Sequence, residues 1–182
     1  MINFEKRGRR NTEETVSAAV ARAKELNIKH VVVASNSGET AEKFLEQELE
    51  IVCVTHHVGY KEPGVDEMGA EKRQVLQEQG IKILTTTHLL AGVDRSLRFK
   101  FEGVYPAEII ASTLRLLGHG LKVCVEISVM ALDAGLIPYG EEIIAVGGSG
   151  KGADAACVIM PAHASQFFDT MVKEIICMPR EK

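Results

Sequence analysis

The sequence predicts an α/β domain, a three-layer α/β/α arrangement around a mostly parallel, open sheet. Three observations carry that expectation. Short β-branched runs, "HVVVAS" (30–35), "EIVCVTH" (50–56) and "IKILTTT" (81–87), alternate with segments of helical pattern. The segments between them are too long for hairpins, so right-handed crossovers and parallel pairing are required. Runs that are apolar at nearly every position also read as strands covered on both faces.

The elements follow in order. Asn11 and Thr12 offer caps, with Glu14 as a capping-box partner, and Ala18, Ala19, Ala21, Ala23 and Leu26 carry a helix to about Asn27. After the first strand, 37–49 reads as a helix. After the second, 64–80 reads as another, stopped by Gly80. The segment 88–105 changes character: "SLRFKFEG" alternates like an exposed β-ribbon, so a ribbon or lid excursion is expected there. Helices are expected over 106–117, opened by Pro106, and over 121–134. Strands "EEIIAVGG" (141–148), "AACVIMPA" (155–162) and "VKEIICMP" (172–179) close the chain. No repeat or linker interrupts it, so residues 1–182 form a single domain.

Composition excludes several classes of function. A net charge of −4 gives no basis for general nucleic-acid binding, and the basic cluster "EKRGRR" (5–10), followed by Glu13 and Glu14, reads as a solvated arm. The amino terminus has no apolar signal core and no run has the length of a membrane span, so a cytoplasmic protein without membrane contact is expected. The four cysteines, Cys53, Cys124, Cys157 and Cys177, lie singly inside apolar runs. That pattern reads as free buried thiols, with no metal site expected.

Two loops have the chemistry to hold a phosphate. In "ASNSGET" a strand ends and a helix begins, where free amides and the positive helix end favour an anion. Ser35, Ser37 and Thr40 add hydroxyls there, Gly38 permits close backbone approach, and Asn36 is its polar neighbour. Asn36 with Glu39 also makes a capping box, which by itself would account for the composition. The second loop, "GGSGKGAD", contains Gly148, Ser149, Gly150, Lys151 and Gly152. It is not a Walker A loop, because Ala145 and Gly152 stand where that motif has Gly and Ser/Thr. Nor is it a dinucleotide fingerprint, because a strand follows it. It reads as a glycine-rich turn with free amides and one cation. If "IIAV" lies on the opposite side of the first strand from its successors, the two loops converge at a topological switch point.

Taken together, "HVVVASNSGETAEKFLEQELEIVCVTHH" resembles the stretch of the pyruvate kinase C-terminal domain in which a strand ends in Thr-x-Ser-Gly-x-Ser/Thr. Ser37-Gly38-Glu39-Thr40 carries the match, with Val54-Thr55 downstream. The resemblance implies a free-standing relative of that domain. It further implies a phosphate role for Ser35, Ser37, Gly38 and Thr40, with Lys151 facing them. The catalytic barrel of pyruvate kinase does not fit in 182 residues, so that activity is not expected. The family often has Arg where this chain has Glu39, which removes a cation from the site and disfavours a sugar bisphosphate. Flavin mononucleotide (FMN) is the ligand the resemblance suggests. For its ring, the strand ends supply His56, Thr86 and Thr87, with Leu89 and Tyr60 as apolar walls. The adjacent His56-His57 also reads as a solvated loop start.

The expectation is therefore binding of a phosphorylated small molecule, FMN first, by a homo-oligomeric domain. The alternatives are a flavin-dependent oxidoreductase and a regulatory domain responsive to sugar phosphates or nucleotides. No catalytic residue is assigned. Lys151 and Asp154 are an acid–base pair to test, although turn chemistry is the commoner use of such an Asp.

Overall fold

The computed structural model describes residues 1–181. Seven strands form one sheet: β1 (Ile2–Phe4), β2 (His30–Ala34), β3 (Glu50–Thr55), β4 (Lys82–Thr85), β5 (Ile143–Gly147), β6 (Ala155–Met160) and β7 (Met171–Pro179). Their order across the sheet is β1-β7-β6-β5-β2-β3-β4. All neighbours pair in parallel except β6, which is antiparallel to both β5 and β7. The mostly parallel α/β sheet expected from the Val-rich runs is present. β2 has β3 on one side and β5 on the other, so the winding direction reverses between β2 and β5.

The helices are α1 (Thr12–Leu26), α2 (Glu39–Glu42), α3 (Ala70–Glu78), α4 (Gly92–Phe101), α5 (Pro106–Leu114) and α6 (His119–Asp133). The two-residue alternation of a strand divides β2 between two cores. Val31 and Val33 pack with Val16, Ala19, Phe44 and Leu76 on the α1–α3 face. Val32 packs with Leu121, Cys124, Val125 and Met130 of α6 on the other. The sheet is thus sealed on both sides, and all four cysteines are free and buried. Burial pushes the Cys53 thiol up to about 12, against the opposing pull of Arg73, which leaves it unreactive.

Several local expectations fail for physical reasons. Residues 88–105 form no ribbon: they contain α4, whose apolar and charged side chains are all at least partly solvent-exposed. "SLRFKF" alternates in sequence, but Leu97, Phe99 and Phe101 have no facing strand to pair with, and helical hydrogen bonds satisfy the backbone locally. The helix expected over 37–49 lasts only from Glu39 to Glu42 before dissolving into turns. That expected over 64–80 starts only at Ala70, and Gly80 does end it with a positive φ. The charged side chains of 5–10 are exposed, as a solvated segment requires, but the backbone is no free arm. β1 pairs with β7, and a 3₁₀ turn at Arg9–Asn11 leads directly into α1. Asn11 does not cap α1; its side-chain amide donates to the Lys6 carbonyl at 2.7 Å.

Candidate functional site

A cleft of about 1420 Å³ opens at the carboxyl ends of β2, β3 and β5 and is flanked by His88, Leu90 and Ala91 of the loop after β4. This is the crevice that the reversal of strand order creates. One wall is the serine loop after β2, including Ser35, Ser37 and Thr40. The facing wall is the glycine loop, contributing Gly148, Gly150, Lys151 and Gly152. That loop is the hairpin turn between β5 and β6.

The serine loop is organised from within. Ser35 Oγ, nearly buried, accepts the Thr40 amide at 3.2 Å. Asn36 does not form the capping box expected with Glu39. Its Oδ1 accepts the His56 amide at 3.0 Å, and its Nδ2 lies 3.2 Å from His56 Nε2, which ties the ends of β2 and β3 together. Glu39 instead reaches Arg9, 3.0 Å away. Because α2 is a single turn, the loop holds little helix dipole, and its donors are local amides and hydroxyls.

Gly38 serves packing. Its φ is +84°, and a Cβ added there would lie 2.4 Å from Leu76 Cδ1, in the α1–α3 core. Of the residues expected at the site, Ser35, Asn36, Ser37, Thr40, His56, Gly148, Gly150, Lys151 and Gly152 line the cleft; Gly38, Thr86, Thr87 and Ser149 do not. Thr85, rather than its two successors, makes the polar contacts at the end of β4, to Thr55 Oγ1 at 2.6 Å and Arg73 at 2.9 Å.

The glycine loop hangs on Asp154, which is fully buried. Its Oδ2 accepts the Gly8 amide at 2.8 Å and the Ser149 amide at 3.3 Å, and its Oδ1 accepts the Ser149 hydroxyl at 3.4 Å. Asp154 is therefore an anchor of the turn and not an acid–base partner for Lys151, which is exposed.

The other end of the cleft is aromatic. His56 stacks on Tyr60 with ring centroids 3.7 Å apart, and His88 lies 5.3 Å from His56 and 5.5 Å from Tyr60. Arg95 sits 5.9 Å over the Tyr60 ring. Glu67 fixes the cluster by holding His56 Nδ1 at 2.5 Å and pairing with Lys61. Burial raises the Glu67 carboxyl, but its hydrogen bonds from Lys61 and His56 outweigh that and hold it below the ordinary value. Burial drives His88 down to about 4, so it is neutral near pH 7.

At the floor, Lys122 and Glu126 form an ion pair whose side chains are 9% and 6% exposed. Glu126 also accepts the Leu90 amide at 2.8 Å and so holds the loop after β4 against α6. The sequence carried a signal for this pair, two opposite charges four residues apart in an otherwise apolar helix. Arg9 carried none, because its position depends on β1 pairing with the far end of the chain. Among the described residues, no group of three or more His, Cys, Asp or Glu side chains is placed to hold a metal ion.

Fold and cleft together define an α/β domain with an open crevice at its switch point. The family described as pyruvate kinase, alpha/beta domain, matches residues 13–159, and the chain belongs to that family. Among solved structures, a Cryptosporidium parvum pyruvate kinase in complex with ADP is similar at 18% identity and a TM-score of 0.43, covering 81% of this chain and 23% of that one. A second pyruvate kinase structure from the same organism gives 18% identity and a TM-score of 0.41, covering 81% and 22%. The chain thus spans less than a quarter of the length of these relatives. Among the described residues, no helix is long and apolar enough to cross a membrane.

Proposed function

We propose that the domain binds a phosphorylated small molecule in the switch-point cleft, with flavin mononucleotide as the ligand. The observation that carries this reading is the division of one cleft into two chemistries. At one end are the hydroxyls of Ser35, Ser37 and Thr40, the amides of the glycine loop, and Lys151. At the other are the stacked rings of His56 and Tyr60, beside His88 and Leu90. A phosphate suits the first and a planar heteroaromatic ring the second.

The visible absorption spectrum of the purified protein, with mass spectrometry of what heat releases, tests this directly. A flavin spectrum and the mass of FMN are expected. A protein that stays colourless on titration with FMN would overturn the flavin assignment and leave sugar phosphates and nucleotides, a regulatory role, as the candidates for the same loops. Ser37→Val should abolish phosphate-dependent binding with little effect on the fold, whereas Gly38→Val would strain the contact with Leu76.

An oxidoreductase reading is favoured by one feature, the neutral His88 beside the ring end. It requires that the flavin complex be reduced by a nicotinamide donor faster than free flavin is. A cytoplasmic homo-oligomer completes the proposal. The free cysteines support a reducing compartment, and exposed Phe99, Phe101, Val104, Ile109 and Leu116 support self-association. Light scattering at working concentration should give a mass above 19.8 kDa.

A further inference from the structure

The serine loop and the glycine loop are joined by a third segment, the strap Gly8–Thr12, all of which lies before the stretch matched by the family (13–159). Asp154 accepts the strap's Gly8 amide with the same carboxylate that orders Ser149, so one buried anchor fixes strap and loop together. Thr12 Oγ1 accepts the Ala153 amide at 3.0 Å. Gly152 is pressed so closely on the strap that a Cβ there would lie 2.4 Å from Thr12 Oγ1 and 2.8 Å from Arg9 Cα. From this fixed backbone the Arg9 side chain crosses the cleft mouth and ends on Glu39, at the rim of the serine loop.

We infer that the strap is a working part of the phosphate pocket and that Arg9 supplies its cation, transferring its guanidinium from Glu39 to the phosphate when the ligand binds. The inference rests on the phosphate-binding reading of the cleft.

The Arg9 and Glu39 side chains are 69% and 59% exposed. An ion pair so solvated contributes little and is readily exchanged. A phosphate offers the guanidinium a doubly charged, bidentate acceptor with stronger, shorter hydrogen bonds. Without Arg9, the Glu39 carboxylate would stand at the pocket rim as an uncompensated like charge and oppose any phosphate. With Arg9 anchored through its backbone, only a side-chain rotation is needed, and no ordering of the strap.

A mere latch holding strap to loop predicts something different. Removing either end of a latch loosens the same contact, so both single variants would shift affinity in the same direction. A cation transferred to the ligand requires opposite signs.

The test is calorimetric titration of Arg9→Met and Glu39→Gln with FMN and separately with inorganic phosphate, each variant checked for an unchanged thermal midpoint. Arg9→Met is expected to weaken binding of both probes on the order of tenfold or more. Glu39→Gln is expected to tighten both several-fold, and to recover part of the loss when added to Arg9→Met, because it removes the carboxylate left unpaired there. Equal binding by Arg9→Met and the parent, or loss of affinity in both single variants, would overturn the inference while leaving the cleft reading intact. Binding of phosphate with the expected signs but no binding of FMN would remove the flavin and keep the strap. Binding of neither probe by the parent would remove both.

Discussion

Two helices border the cleft and could hardly be held more differently. α6 is surrounded by the sheet on one side and by α5 and the turn at Arg115–Leu117 on the other, and 12 of its residues are buried. α4 has no buried residue. It is fastened by polar contacts, Arg98 to Glu108 at 2.9 Å and the Ala107 amide to Asp94 at 3.1 Å. The lesson concerns where each can act. α6 carries a buried ion pair to the cleft floor with little freedom to move. α4 presents Arg95 from a surface element whose opening would expose almost no new apolar area.

That contrast can be broken most sharply at the ion pair. Lys122→Met leaves the buried Glu126 carboxylate uncompensated and should destabilise the domain by roughly 3–5 kcal/mol in urea denaturation at pH 7. Adding Glu126→Leu should restore part of that loss. The Leu90 amide then remains unpaired, at about 1–3 kcal/mol, so recovery will be incomplete. A loss under about 1 kcal/mol in the single variant would mean that water reaches the pair and that α6 is not a rigid wall of the cleft.

The strap belongs to the rigid side. Gly152 has a φ of +73° and no room for a Cβ against Thr12 and Arg9. Gly152→Ala should cost roughly 1–3 kcal/mol and displace the strap, measurable as faster amide exchange at Gly8.

His88 lies between the two regimes, on the loop that Glu126 holds. Its folded-state value, about 4, is depressed below the ordinary 6.5. The unfolded chain therefore binds the proton first on acidification. Stability linked to His88 is present above pH 6.5 and is lost as pH falls toward 4. The difference between 6.5 and 4 corresponds to roughly 3 kcal/mol, which solvent screening of this partly buried ring reduces to about 2 kcal/mol, and His88→Asn should flatten the stability profile over that interval.

The smallest effect is expected on α4. Phe99 is 71% exposed, and Phe99→Ser should change monomer stability by less than about 0.5 kcal/mol. A larger loss that depends on protein concentration would show that α4 is covered in an oligomer.

Legibility in the sequence followed the range of the forces involved. The Val-rich strands and the crossover lengths disclosed the parallel sheet, because burial on both faces leaves almost no polar position in β2 or β3. The two candidate loops were legible for the same reason: each directly follows an unmistakable strand. The segment 88–105 misleads because two-residue alternation over six residues is also compatible with an exposed helix, and no facing strand decides for the sheet. Asn36 misleads because a local cap competes with a partner 20 residues away, and the His56 contact wins. Gly38 has the sequence context of a ligand-approach glycine, but the contact that requires it is Leu76, 38 residues away.

By itself, then, the sequence determined the α/β class, the positions of every strand except β1, the burial of the cysteines and the polar character of both loops. These follow from periodicity and composition within a dozen residues. Only the tertiary structure decided that the loops face one another across β2 and β5, that Asp154 anchors a turn, and that Arg9 reaches the cleft. Each of those depends on contacts between residues 30 to 146 positions apart, and the register that brings such residues together is set by the packing of the whole sheet.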